Sequence, residues 1–161
     1  MKLKEDISTV QVAPISMSSA FWAIGKCFEI DVYEIVGKPK KDCEVNEFLQ
    51  CAPTTSMPSC THSDYNRDGY CKSTDLGQDL SADFHVYGAD WRRNRIRFYA
   101  DGVLVHTLRR RKGMKKGQWP KKDCNMFIWL DNEAFEWSGF PEKADLPSDY
   151  EVDYVRVWKR G

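Results

Sequence analysis

What the chain lacks narrows it first. It has no run of about 18 apolar residues, the length a helix needs to cross a bilayer, so the sequence offers no membrane-spanning helix. The N-terminus, Met1-Lys2-Leu3-Lys4-Glu5-Asp6, has no apolar core of the kind a secretory signal carries. There is no net charge, 24 Lys and Arg balancing 24 Asp and Glu, and no recognisable nucleic-acid-binding motif. No internal repeat is present, and no segment keeps a helical period beyond about one turn.

What is there is an aromatic-rich chain of short strands. At 161 residues and 13% aromatics it has the size and apolar content of one domain with its own core. Segments 18–24, 27–35, 84–91, 94–100, 103–108, 125–130 and 150–158 are apolar or alternating and are bounded by Gly, Pro, Asp or Asn, which predicts strands. Asp101-Gly102 between two of them is a two-residue hairpin signal. Many short strands with turn signals predict an all-β sandwich or jelly roll with a cleft on its concave face.

The run Glu29-Ile30-Asp31-Val32-Tyr33-Glu34 stands out within that pattern. Its apolar residues predict a buried or half-buried strand, where three carboxylates carry a cost that a purely structural strand would avoid. Side chains alternate along a strand, so Glu29 and Asp31 share a face and Glu34 falls on the other. A β-bulge at Val32-Tyr33 would bring Glu34 round to join them. Two carboxyls roughly 5–5.5 Å apart across a sugar suit a retaining glycosidase.

Glu-Ile-Asp-Val-Tyr-Glu resembles the bulged Glu-x-Asp-x-x-Glu signature of glycoside hydrolase family 16. Further matches follow in order. Ser18-Ser19-Ala20-Phe21-Trp22 is similar to the strand before the signature, and Phe84 to Trp91 with Ile96 to Gly102 to the hairpin after it. Leu130 to Trp137 and Tyr150 to Trp158 are similar to the closing strands. The resemblance implies a concanavalin A-like jelly-roll β-sandwich and an endo-acting retaining hydrolase of a β-linked polysaccharide. It leaves unmatched an insert at about 38–78 and a basic loop at 109–122. In the family a set of strands precedes the signature, and Met1-Lys2-Leu3-Lys4 looks like the tail of one of them. The expectation is therefore a single partial domain over 1–161, lacking N-terminal strands and marginally stable or weakly active alone.

By the same resemblance Glu29 is the nucleophile, Glu34 the acid/base, and Asp31 the residue that keeps Glu29 in the right charge state. Trp22 corresponds to the aromatic beneath the sugar at the cleavage site, a flat indole suiting the apolar face of a pyranose; a core Trp is the alternative. Asn132, Glu133 and Trp137 fall where agarase- and carrageenase-like members contact substrate, and His62 where some members carry a substrate-contacting histidine. His85, within a strand, reads as a structural histidine.

Six cysteines favour an oxidising compartment and a secreted protein. Cys43, Cys51, Cys60 and Cys71 crowd into the aperiodic 38–78 segment, which predicts a long loop stapled mostly by bridges among them; Cys27 and Cys124 each begin a strand. Six cysteines allow 15 pairings, and free thiols in a cytosolic protein are the alternative. Within the insert, Asp64, Asn66, Asp68, Gly69 and Asp75 fit calcium-loop spacing, against which stand Lys72 at the ninth position, Asp rather than Glu at the twelfth and no flanking helices. The resemblance implies no required cofactor, so a structural calcium would be the only one. Residues 109–122 hold eight basic side chains and no acid, suited to an anionic polysaccharide or simply a solvated loop.

The reading is thus a hydrolase of an algal galactan such as agar, porphyran or carrageenan. Laminarin-type β-1,3-glucan is the second substrate, and a non-catalytic glycan-binding protein or inactive fragment the rival of another class. A calcium-stapled adhesion module is a third. The partner expected is polysaccharide alone, met by a monomer, with neither nucleic acid nor membrane.

Overall fold

The computed structural model describes residues 7–11, 17–26, 28–37, 51–63, 66–114, 119–120 and 125–158. Ten strands form two five-stranded sheets: β1 (Ile7–Gln11), β2 (Ser18–Gly25), β3 (Phe28–Val36), β4 (Ser56–Ser63), β5 (Asn66–Asp75), β6 (His85–Arg92), β7 (Arg95–Ala100), β8 (Val103–Arg109), β9 (Phe127–Glu133) and β10 (Glu151–Arg156). One sheet runs β10-β1-β6-β7-β8 and the other β5-β4-β3-β2-β9, and each strand pairing is antiparallel. The only helical element among the described residues is a single turn at Lys143–Asp145. The fold is the all-β jelly-roll sandwich that the strand pattern predicts.

The sheets meet through alternate residues. Phe28, Ile30 and Val32 of β3 and Phe21 of β2 point inward against Tyr87, Ala89, Ile96, Phe98 and Leu108 of the other sheet. Tyr33 stacks on Tyr87 across the interface with ring centroids 4.4 Å apart, and its hydroxyl meets that of Tyr150 at 2.9 Å. Both rings are fully buried. Burying aromatics of this size dominates core energetics, and edge or tilted ring contacts add to it. The Asp101-Gly102 turn closes β7 onto β8 with φ of 51° and 77°, the left-handed backbone that a two-residue hairpin asks of both positions and that glycine adopts without strain.

The 38–78 reading needs correction. Residues 56–75 form the hairpin of β4 and β5 rather than a loop, pinned by the Cys60–Cys71 disulfide between directly opposed residues. Hydrophobic alternation misses this hairpin because the inward row of β4 reads Met57, Ser59, Thr61, three buried residues of which two are polar. Their hydroxyls are satisfied internally: Ser59 Oγ donates to Val32 O at 2.6 Å and Thr61 Oγ1 to Tyr70 O at 3.4 Å. Cys51 is also disulfide-bonded, while Cys27, Cys43 and Cys124 lie outside the described residues.

The calcium-loop spacing falls on the same strand. Asp64 lies outside the described residues, but Asn66 and Asp75 are the two ends of ten-residue β5, so their backbones stand about 30 Å apart at 3.3 Å per residue. They cannot close on one ion, and Asp68 is fixed along the strand between them. The Asp75 carboxylate instead accepts the Gly77 N–H at 2.9 Å, a local turn contact. The basic segment begins at the exposed end of β8, Arg109 to Lys112; 115–118 and 121–122 are outside the described residues.

Candidate active site

The outer face of the β5-β4-β3-β2-β9 sheet carries one open cleft lined by Ala20, Trp22, Glu29, Asp31, Glu34, His62, Glu133 and Phe135. Its volume is about 240 Å³, below the roughly 300–1,000 Å³ of enclosed small-molecule pockets. An open trough of that kind suits a segment of polymer.

The three carboxylates share this cleft because of a bulge. In the β2–β3 pairing Phe21 opposes Tyr33 and Trp22 opposes Asp31, so Val32 has no partner of its own. One extra residue switches the alternation. Ile30 and Val32 point into the core before the bulge and Tyr33 and Ile35 after it, which leaves Glu29, Asp31 and Glu34 together on the cleft side.

His62 joins them from β4, where it lies opposite Glu29. Its Nε2 stands 3.3 Å from Glu29 Oε1 and 3.2 Å from Asp31 Oδ2. Burial by itself would lower the His62 pKa, but the bonds to Asp31 and Glu29 outweigh it and carry the ring from 6.5 up to about 10. Asp31 moves up from 3.8 to about 7, chiefly because it is buried and further because Glu29 and Glu34 are close, with His62 opposing the rise. The chemistry resembles a general pattern in which neighbouring carboxyls are held in different protonation states so that one can stay ionised while another carries a proton. Glu34, across the bulge, accepts a hydrogen bond from Ser18 Oγ at 3.3 Å.

The far wall comes from β9, whose register against β2 sets Trp129, Asp131 and Glu133 opposite Trp22, Ala20 and Ser18. Trp22 lies in the cleft rather than the core. Its indole N–H donates to both carboxylate oxygens of Asp131 at 3.1 and 3.2 Å, and its ring packs on Trp129 at 5.2 Å. Burial raises the pKa of Asp131, the Trp22 bond opposing it, and burial likewise raises Glu133, with Asp131 adding to the effect.

Two sequence-level assignments on this wall change. Asn132 is one residue out of phase: it opposes Ser19, accepts the Ser19 hydroxyl at 3.1 Å, and so lies on the sheet face away from the cleft. Trp137 does not line the cleft but stacks on Phe135 with centroids 5.0 Å apart, backing the ring that does. Asp131, Trp129 and Phe135 are not among the residues the sequence singled out, although counting alternate residues back from Glu133 along Leu130–Trp137 finds Asp131. His85 is structural, bonded through Nδ1 to Asp101 Oδ2 at 2.9 Å.

Glu29, Asp31 and His62 also form the one group among the described residues able to hold a metal ion, their ligand atoms lying within 4.8 Å of one another. Among the described residues four carboxyls, of Glu29, Asp31, Glu34 and Glu133, line the cleft with the His62 ring, and a fifth, of Asp131, is held against the Trp22 indole beside it.

A model of the GH16 domain of beta-porphyranases A–D matches residues 8–160. The chain is similar to a keratan-sulfate endo-1,4-beta-galactosidase of Sphingobacterium multivorum, 38% identical over 49% of this chain and 19% of that protein. It is also similar to beta-porphyranase B of Zobellia galactanivorans, 26% identical over 89% of this chain and 53% of that one. The chain thus spans about half the length of that curated porphyranase. The crystal structure of porphyranase B from Zobellia galactanivorans superposes with a TM-score of 0.74 at 23% identity, covering 99% of this chain and 63% of that chain, a likeness of fold.

Proposed function

The chain belongs to glycoside hydrolase family 16, and from that membership we propose that it cleaves internal β-linkages of a polysaccharide with retention of configuration, the substrate being an algal galactan. The observation that carries this reading is the bulge at Val32, which gathers Glu29, Asp31 and Glu34 into one cleft beside His62. In the proposed reaction the Glu29 carboxylate attacks the anomeric carbon while Glu34 protonates the departing glycosidic oxygen. Water, deprotonated by Glu34, then releases the sugar from the Glu29 ester. Asp31 and His62 position Glu29 and fix its surroundings, and Trp22 offers the flat face on which the sugar ring rests.

The cleft's charge constrains the substrate. The carboxyls that stay ionised around the reaction centre, Glu29 first among them, repel anionic groups at short range, where low dielectric strengthens the interaction. A sugar unit at the cleavage point is therefore neutral, and any sulfate esters of the polymer fall on flanking units. This excess of acid also fits the uncharged β-1,3-glucan of the laminarin type, which is the second reading. A glycan-binding protein without turnover is the rival of another class, and the gathered acids argue against it. The protein is proposed to act outside the cell as a monomer, as one family 16 domain with no catalytic cofactor.

The test is hydrolysis of agarose, porphyran and laminarin by the chain and by Glu29→Gln. Glu29→Gln is expected to fold, though with a lower melting temperature from the lost contact with His62, and to lose turnover, because an amide cannot form the glycosyl ester. Undiminished turnover by the variant, or an inverted anomer as first product by NMR, would overturn the assignment.

A further inference from the structure

Behind the cleft, on the outer face of the other sheet, arginines from three neighbouring strands are set side by side. Arg92 of β6 opposes Arg95 of β7, and Arg95 in turn opposes Arg109 of β8. Directly opposed residues share a face, so these three form one rung across the sheet, strands being about 4.8 Å apart. Arg97 lies one rung along on the same face, opposite Asp90. Among the described residues Asp90 is the acid that pairs with these arginines: it meets Arg92 through Nε and stands 3.8 Å from Arg97 Nη1. Among the described residues, one carboxylate paired with four guanidiniums leaves a local excess of positive charge in a chain whose net charge is zero.

Like charges directly opposite one another on a sheet are destabilising, and nothing in the fold requires this rung. Arg95 sharpens the point, since its Nε is buried without a hydrogen-bond partner. A buried donor left unsatisfied is costly. Tyr99 follows on the same face two residues beyond Arg97, half exposed, and a tyrosine ring suits the C–H face of a sugar.

We propose that the Arg92–Arg95–Arg109 rung, with Arg97 and Tyr99, is a second carbohydrate-binding surface that holds the anionic groups of a sulfated polysaccharide away from the catalytic cleft. Guanidinium forks match sulfate oxygens bidentately, and a row of three, each one strand from the next, spans about 10 Å and engages more than one ester of an extended chain. A polymer repelled by the acidic cleft is thereby kept at the enzyme's surface while its neutral units are cleaved. The role of this surface in keeping polymer at the cleft rests on the proposed function, while carbohydrate binding by the rung can be tested without it.

The experiment uses Glu29→Gln protein, so hydrolysis plays no part, and measures its retardation in native gels containing a carrageenan, neutral agarose or double-stranded DNA. Retardation by the carrageenan and not by agarose is expected, disappearing at high salt. Adding Arg95→Gln and Arg109→Gln should weaken carrageenan binding by roughly tenfold or more, with a melting temperature unchanged or raised because the opposed charges are gone. Arg109→Gln alone, at an exposed strand end, serves if the combined variant does not fold. With Glu29 restored, turnover of a short neutral oligosaccharide should be unaffected by the arginine changes. Equal retardation with and without these arginines would overturn the proposal, and so would tighter binding to DNA than to the carrageenan, which would make the patch a nucleic-acid surface.

Discussion

Replacing His62 by glutamine separates the charge of the imidazole from its shape. The ring contacts two carboxylates at 3.3 and 3.2 Å and is only 18% exposed, so solvent screens these contacts weakly. Its rise from 6.5 to about 10 corresponds to roughly 5 kcal/mol in favour of the folded, protonated state. Removing one partner of such a cluster typically costs about 3–5 kcal/mol. For a domain of 150–250 residues each kcal/mol moves the melting temperature about 2–4 °C, so His62→Gln should melt roughly 10 °C below the parent at pH 6.

The pH dependence is the discriminating part. Because the native pKa lies above the unfolded one, the imidazolium contribution is complete below about pH 6.5 and is lost as pH rises through about 10. Asp31, raised from 3.8 to about 7, acts with the same sign in a lower window: its contribution is present below 3.8 and is lost as pH rises through about 7. In the variant Asp31 moves higher still, since His62 is what holds it down. Melting curves of both proteins at pH 6, 8 and 10.5 and fixed ionic strength should therefore show a gap that is large at pH 6 and nearly closed at pH 10.5. A gap independent of pH would mean that the ring is neutral in the native protein, and the charge argument for His62 would fall.

Two further outcomes follow from the same region. Cys60→Ser with Cys71→Ser opens a bridge between residues 11 apart, for which restriction of the unfolded chain predicts a loss of about 3 kcal/mol; denaturant titration showing no loss would mean that β4–β5 pairing alone fixes the hairpin. Zinc should inhibit hydrolysis reversibly, with EDTA restoring it. The Glu29, Asp31 and His62 donor separations of 3.2 and 3.3 Å match the edge of a tetrahedron with bonds of 2.0–2.1 Å, about 3.3 Å. Equal inhibition of His62→Gln would place the metal elsewhere.

Where apolar residues alternate, the sequence and the structure agree closely: strands expected at 18–24, 27–35, 94–100 and 103–108 appear as Ser18–Gly25, Phe28–Val36, Arg95–Ala100 and Val103–Arg109. The bulge was also legible, because three acids on an apolar strand make sense only if an extra residue turns the third. What was not legible was the β4–β5 hairpin. Ser59 and Thr61 are buried there because backbone carbonyls of Val32 and Tyr70 accept their hydroxyls, and a buried residue satisfied by hydrogen bonding reads in sequence like an exposed one. The same segment spaced Asp64, Asn66, Asp68 and Asp75 like a calcium loop, yet that spacing binds only if the chain coils. Strand pairing with β4 extends it instead.

Six of the residues named from the sequence, Trp22, Glu29, Asp31, Glu34, His62 and Glu133, line the cleft, and Asn132 misses it by one residue of phase. Leu130 to Trp137 resembles a closing strand whose residues contact substrate, but Asn132 and Glu133 lie on opposite faces of a strand. Register against β2 resolves it. Ser18, Ala20 and Trp22 face the cleft, so their opposites Glu133, Asp131 and Trp129 do too, while Asn132 follows Ser19 to the other side. With Asp131 counted, the cleft gains a fifth carboxyl, and a chain of zero net charge resolves into an acidic cleft on one sheet and an arginine rung on the other. Composition averages these two fields to nothing, because charge is summed over the chain while repulsion and attraction act over about 10 Å. Only strand register, which decides which residues stand opposite one another, shows that the acids converge on the outer face of one sheet and the arginines on the outer face of the other.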